Sequence, residues 1–297
     1  MPDADMGTLF VDCQGGPKPI RPEEAKIKPG DDPRMPNSDL QTRVAWPIDD
    51  IRRALLFLTR LPMPRLADTE RPLMRAAWCF PLVGLVVAAF GCLVAWFGHA
   101  LGLPALVTAL LVLTATALVT GALHEDGLAD LADGFGGGRD REHVITIMRD
   151  SRIGAYGVLG LVLVTGIKAA ALAALLAAGL QAAILALIVA HVLARAAMVP
   201  IAGSLPHASE SGLAQSAGRP GTTAMVFAVT IAALVSLLLM PAKPALAAVS
   251  AAVLVAVIVA WLAKRRIGGY TGDVLGGAEQ IAEAAILAIL SGLLATA

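Results

Sequence analysis

Six long apolar stretches, each with at most two ionisable side chains, constrain this chain more than any other feature. They are residues 76–98, 101–123, 157–178, 180–201, 222–240 and 244–262, and each approaches the ~20 residues that cross a hydrocarbon core as a helix. A seventh, 281–297, is borderline between spanning and lying in the interface. The runs are continuous and rich in Ala and Leu, whereas barrel strands alternate over roughly ten residues. The fold class expected is therefore all-α: a polytopic integral membrane helical bundle with about six to seven transmembrane helices. Composition agrees, since only 15% of residues are charged and 57% are hydrophobic, against roughly a quarter charged in soluble domains.

Residues 1–50 differ in kind. Pro recurs at 2, 17, 19, 22, 29, 33, 36 and 47 among scattered charges, a composition that buries too little apolar surface to offset chain entropy. We expect a disordered amino-terminal tail over 1–50, without the features of a secretory signal, and a membrane catalytic domain over 51–297. Residues 46–63 mix apolar positions with Arg52, Arg53 and Arg60 and read as an interfacial helix.

Loop charges orient the spans. Arg52, Arg53, Arg60, Arg65, Arg71 and Arg75 precede the first span, and Arg139, Arg141, Arg149 and Arg152 follow the second. Arg219 follows the fourth, and Lys264, Arg265 and Arg266 the sixth, whereas the alternate turns carry only Lys243. Basic residues collect on the cytoplasmic side, so every long loop is expected there. Lys+Arg and Asp+Glu both number 23; with no net charge, nucleic acid is not an expected partner. Three cysteines, 13, 79 and 92, give neither a disulfide framework nor a thiolate zinc site.

The densest polar segment runs from His124 to Gly157. Asp126, Asp130 and Asp133 recur at i, i+4 and i+7, within roughly a 60° arc of a helix. Such carboxylates repel unless a cation neutralises them, and hard oxygens without Cys suit Mg²⁺ or Mn²⁺; the bland reading is a solvated helix end. Gly136, Gly137 and Gly138 with Arg139 read either as an anion nest or as a flexible linker. His124 and His143 are weaker candidates for a base or ligand. Arg149 and Arg152 suit phosphate oxygens or act as membrane anchors. Asp150 reads as a further metal ligand or as the partner of an arginine. Lys168, His191 and Arg195 fall inside spans and are expected to line a polar cavity, with Arg195 foremost. Asp273, Glu279, Gln280 and Glu283 form a second acidic helix end that could face the first.

Metal-held carboxylates beside arginines at a membrane boundary are parts suited to displacement at phosphorus. The segment from His124 to Gly157, with its DGLADLADG core and later MRDSRIGAYG, resembles that of the cobalamin synthase (adenosylcobinamide-GDP ribazoletransferase) family. FLTRLPMPR, from Phe57 to Arg65, and TGDVLGGAEQIAE, from Thr271 to Glu283, are similar to that family's terminal motifs. The opening His124-Glu125-Asp126-Gly127 departs from the family's His-Leu-Asp-Gly at Glu125.

The resemblance implies transfer of the adenosylcobinamide phosphate from adenosylcobinamide-GDP to α-ribazole or α-ribazole 5′-phosphate, with GMP leaving. It further implies Mg²⁺ dependence and a bacterial inner membrane, where the loop charges set the active site facing the cytoplasm. On this reading Asp126, Asp130 and Asp133 hold metal, with Asp150 joining the catalytic set. Arg149, Arg152, Lys168, Arg195, Asp273, Glu279 and Glu283 bind substrate. Membrane lipid is a further partner, and a homo-oligomer or a complex with other cobalamin-assembly enzymes stays open. A CDP-alcohol phosphotransferase shares the Asp-Gly-x-x-Ala opening but has Arg where this chain has Asp130. A divalent-cation transporter would place its carboxylates near the bilayer midplane.

Overall fold

A computed structural model describes residues 38–64, 72–208 and 217–294, with side chains from residue 47 onward. Residues 45–297 form one compact unit, and of residues 1–44 the described part is the helical backbone of 38–44. Helix α1 (Ser38–Leu58) is followed by a 3₁₀ turn (Leu73–Cys79) that leads directly into α2 (Phe80–Ala100). Next come α3 (Ala105–Thr120), α4 (Leu123–Gly137), α5 (Arg141–Met148), α6 (Ala155–Ala178) and α7 (Leu180–Ser204). The chain ends with α8 (Thr222–Leu239), α9 (Ala242–Ile267) and α10 (Gly272–Leu294). Among the described residues, six helices are long and apolar enough to cross a membrane, or seven if the bent pair α3–α4 counts as one span. Helices satisfy their own backbone polar groups, which hydrocarbon cannot do.

The interior is built around α7 and α10, whose apolar windows are 78% and 72% buried, against 17% for α8. Residues such as Leu238 of α8, Val162 of α6 and Leu254 of α9 are exposed, as befits helices that face lipid. Small residues set the close crossings. Gly84 of α2 lies against the backbone of α7, where a Cβ would overlap the His191 carbonyl, and Gly98 likewise abuts Thr108 of α3. Trp78 donates its indole N–H to Asp50 at 3.0 Å, tying the 3₁₀ turn to α1.

The expected first span, 76–98, lies within the continuous helical segment 73–100, and expected spans three to six match α6 to α9 closely, but the second and last spans differ. The stretch 101–123 is not one straight helix. Gly121 (φ 68°) and Ala122 (φ 58°) are both left-handed, and the chain turns by 93° between α3 and α4. Ala122 is the one non-glycine residue with positive φ among the described residues, a conformation that costs an L-residue roughly 1–2 kcal/mol. The last span begins at Gly272 rather than near residue 281, so the acids read as a helix end outside the membrane are carried into the bundle. The interfacial helix begins at Ser38 and stops at Leu58 before Pro62 and Pro64. Residues 38–50 of the expected disordered tail are thus helical; residues 1–37 lie outside the described set, as do Arg65, Arg71 and residues 295–297.

Candidate active site

The bend at Gly121–Ala122 sends α4 across α10 at a contact made of glycines. A Cβ on Gly127 would lie 3.1 Å from the Asp273 backbone, and one on Gly276 would lie 3.3 Å from the His124 Cα. Glycine at both positions lets the two backbones approach closely. Asp273, in the first turn of α10, is thereby set beside α4, and Asp130 lies in the fields of Asp273, Asp126 and Asp133. Asp126 is exposed, Asp130 and Asp273 are half-buried and Asp133 is buried. The expected trio does share one helix, and Asp273 joins it from the second acidic segment.

Asp133 has a different task from its neighbours. Its Oδ2 accepts the Gly154 N–H at 2.7 Å and its Oδ1 the Gly157 N–H at 2.8 Å. These amides open α6 and have no intrahelical acceptor, and a carboxylate there also complements the helix dipole. Gly154 and Gly157 are required because a Cβ on either would overlap the Asp133 carboxylate. Gly157→Ala is therefore expected to cost about 1–3 kcal/mol by overpacking, read as a lowered unfolding temperature in detergent; an unchanged melt would contradict this role. With Asp133 turned to α6, the trio does not form a closed ligand set. Among the described residues, the group whose ligand atoms all lie within 4.8 Å is His191, Glu279 and Glu283.

That group belongs to a buried polar network, and it already holds fixed cations. Arg195 Nη1 lies 2.8 Å from Glu279 Oε1, and Lys168 Nζ lies 2.9 Å from Glu283 Oε1. Lys168, expected to line a cavity, is 3% exposed, and Arg195 is 1% exposed. Both are sealed inside the bundle, because each charge meets its opposite on α10 and the pair is less costly in hydrocarbon than either ion alone. Gln280 is the hub. Its Oε1 accepts from Lys168 Nζ at 3.0 Å, and its Nε2 donates to Glu279 Oε2 at 3.0 Å and to Glu125 Oε1 at 3.2 Å. His191 Nδ1 is 3.1 Å from Glu283 Oε2 and 3.1 Å from Arg195 Nη1. One ring nitrogen can donate to the first or accept from the second, not both. His124 sits 3.7 Å from Glu279 Oε2, fully buried. Helices α4, α6, α7 and α10 thus meet in one network.

The connecting segments are locked by their own basic residues. Gly136 and Gly137 are neither an anion nest nor a linker but the last turn of α4, with Gly138 as its cap. Gly136 packs against the Tyr156 ring and Gly138 against Val144, leaving no room for a Cβ. Arg266 Nη2 donates to the Phe135 and Gly138 carbonyls at 2.7 and 2.8 Å, closing the carboxyl end of α4. Arg141 does the same for the Ile267 and Ala208 carbonyls. His143 is engaged locally, its ring accepting the Arg139 N–H at 3.3 Å beside the Asp140 cap of α5. Asp150 is gripped by Arg152, whose Nη2 lies 2.7 Å away. The Arg152 side chain and then its backbone N–H hold the Asp150 carboxyl below its ordinary range. Asp150 thus acts as the partner of an arginine. Arg149 and Arg152 are exposed at the head of α6, one turn from the amides that Asp133 holds.

Sequence reasoning named Gln280 and Glu125 but gave neither a role of its own in this site. Gln280 is uncharged and so gave no signal of its own, although it stands between Glu279 and Glu283. Glu125 departs from the family pattern, and its bond to Gln280 explains how it is accommodated. The pairing of His191 with Arg195, and of Glu279 with Glu283, was visible as i, i+4 spacing inside apolar runs.

Comparison with known proteins agrees with this layout. A family model for cobalamin-5-phosphate synthase matches residues 50–291. A Sinorhizobium protein named adenosylcobinamide-GDP ribazoletransferase is 44% identical over 251 residues, covering 82% of this chain and 96% of the relative. Proteins of the same name from Bradyrhizobium diazoefficiens and Rhizobium meliloti are 44% and 39% identical, covering 82% and 84% of this chain and 93% and 97% of the relatives. No solved structure matches the chain. Since the matched residues run through α4, α6, α7 and nearly all of α10, taking in the aspartates and the whole buried network, the chain belongs to the cobalamin-5-phosphate synthase family.

Proposed function

We propose that the protein transfers the adenosylcobinamide phosphate group from adenosylcobinamide-GDP to α-ribazole or α-ribazole 5′-phosphate. GMP is released, and adenosylcobalamin or its 5′-phosphate forms. A ribose hydroxyl oxygen bonds to the corrinoid-side phosphorus, the bridging bond to the guanylate breaks, and GMP departs with the electron pair. The observation that carries this reading is the meeting of Asp273 with Asp126 and Asp130 across the Gly127–Gly276 contact.

Asp126, Asp130 and Asp273 present hard carboxylate oxygens, which fits Mg²⁺; Asp133, with its two oxygens held by two amides at the start of α6, supports them. When bound there, Mg²⁺ would neutralise the diphosphate and the charge growing on the leaving phosphate. Arg149 and Arg152 hold diphosphate oxygens from the head of α6. One carboxylate of the set takes the hydroxyl proton. Lys168, Arg195, Glu279 and Glu283 act as positioning residues that fix α6 and α7 against α10, with Glu279 also facing His124 of α4, because none is open to a substrate in this structure. Carboxylates inside spans would also serve a cation carrier, but Glu279 and Glu283 already hold Arg195 and Lys168. The proposal puts the protein in the bacterial inner membrane with the aspartates on the cytoplasmic side, a reading supported by the arginine-rich loops at that end.

The test is a membrane assay supplying adenosylcobinamide-GDP and α-ribazole, followed by chromatography for GMP and the joined corrinoid. Product is expected with Mg²⁺ and none after chelation. GMP formation without a joined product, or full activity after chelation, would overturn the reading. In the same assay Arg149→Ala is expected to raise KM for the GDP-activated substrate more than KM for α-ribazole; equal effects would remove Arg149 from the diphosphate.

A further inference from the structure

Helices α7, α8 and α9 enclose a cavity of about 340 Å³ on the flank of the bundle. It exists because alanine occupies the facing positions, including Ala197 on α7, Ala232 on α8 and Ala252 on α9, so no side chain fills the gap. Val229, Val253 and Val257 on its rim are exposed, and the groove therefore opens where hydrocarbon surrounds the protein. No ionisable residue lines it, and the hydroxyl of Ser204, at one end, is spent on the Ile201 carbonyl at 3.2 Å.

That end is flanked by cations. On α9, Val253, Val257, Ala260 and Lys264 follow at spacings of four, three and four and share one face. Side chains tilt toward a helix's amino end, which leans the exposed Lys264 over Ala260 and the groove. On the α7 side, Arg219 Nη2 donates to the Gly203 and Leu205 carbonyls at 3.2 and 2.9 Å, next to Ser204. Arg265 is drawn aside over the Trp261 ring, 4.2 Å from its centroid. The described residues of 197–208, 217–224 and 256–270 include no acid.

We propose that this groove binds one acyl chain of an anionic phospholipid, its phosphate seated between Lys264 and Arg219. Hydrocarbon is the one medium that meets the open side, and the mouth selects for negative charge. The site is separate from the aspartates, and its occupancy does not rest on the reaction proposed for them.

The test uses the full chain in nanodiscs of equal parts phosphatidylglycerol and phosphatidylcholine, released into the gas phase for native mass spectrometry. One phosphatidylglycerol per chain is expected to survive delipidation. Lys264→Gln, an exposed change that leaves the packing untouched, should lower the preference for phosphatidylglycerol about fivefold, the worth of one basic residue near an anionic surface. Ala256→Phe, which fills the groove, should abolish retention. Equal retention of both lipids by the unmodified protein, or retention indifferent to both substitutions, would show annular lipid only and overturn the proposal.

Discussion

Asp130→Asn abolishes product formation while expression, membrane insertion and thermal unfolding stay close to those of the unmodified protein. The residue is half-buried, within the fields of three other carboxylates, and makes no hydrogen bond that its replacement would break among the described residues. Removing one negative charge from that set relieves repulsion in the folded state, so stability has no reason to fall. On the proposed mechanism, catalysis loses a charge that would hold the diphosphate's counter-ion, an electrostatic loss on the order of a hundredfold or more in rate. Asp133→Asn makes the instructive contrast. An amide presents a single acceptor oxygen, so one of the two bonds to Gly154 and Gly157 is lost, and stability falls along with activity. Assay of GMP release beside detergent melting curves separates the two, and near-normal turnover by Asp130→Asn would remove that residue from the mechanism.

The second large effect is expected where the charges are sealed. Arg195→Met leaves Glu279 without its 2.8 Å partner in a site that is 0% exposed, and breaking a buried pair by removing one member costs about 3–5 kcal/mol. Replacing both members, Arg195→Met with Glu279→Met, removes the uncompensated charge and is expected to recover much of that loss. Urea or thermal unfolding of the single and double variants in one detergent supplies the cycle. If Arg195→Met melts like the unmodified protein, the pair does not hold α7 to α10. Activity provides the readout that packing alone would not move: the recovered double variant should still show a lower kcat with KM little changed, since α4 would be held less well in register.

Much of this was legible in the sequence, for identifiable reasons. Spans α6 to α9 were legible because their apolar windows are nearly free of charge, and hydropathy needs nothing else. The trio on α4 was legible because helical periodicity alone aligns residues 126, 130 and 133. The start of α10 was not, because Glu279 and Glu283 read as polar residues unfit for a span, and the partners that make them tolerable, Arg195 and Lys168, lie far away in sequence. For the same reason Lys168 and Arg195 read as cavity-lining when they are neutralised in place. The division of labour within the trio was equally hidden. Nothing at position 133 announces that Gly154 and Gly157 will turn their amides toward it, although glycines at both positions were visible. The break at Ala122 has no sequence signal beyond Gly121, since alanine is ordinarily the strongest helix former.

The central claim is that α4 and α10 together build one divalent-ion site, with Asp273 completing what Asp126 and Asp130 begin. It is tested most directly by Mn²⁺ titration followed by electron paramagnetic resonance, on the purified protein without substrates, comparing the unmodified chain with Asp273→Asn. Saturable Mn²⁺ binding is expected that Mg²⁺ displaces and that Asp273→Asn weakens by at least about tenfold, the effect typical of losing an anionic partner at a metal site. Binding that is indifferent to Asp273→Asn, or that is lost on Glu283→Gln instead, would contradict it.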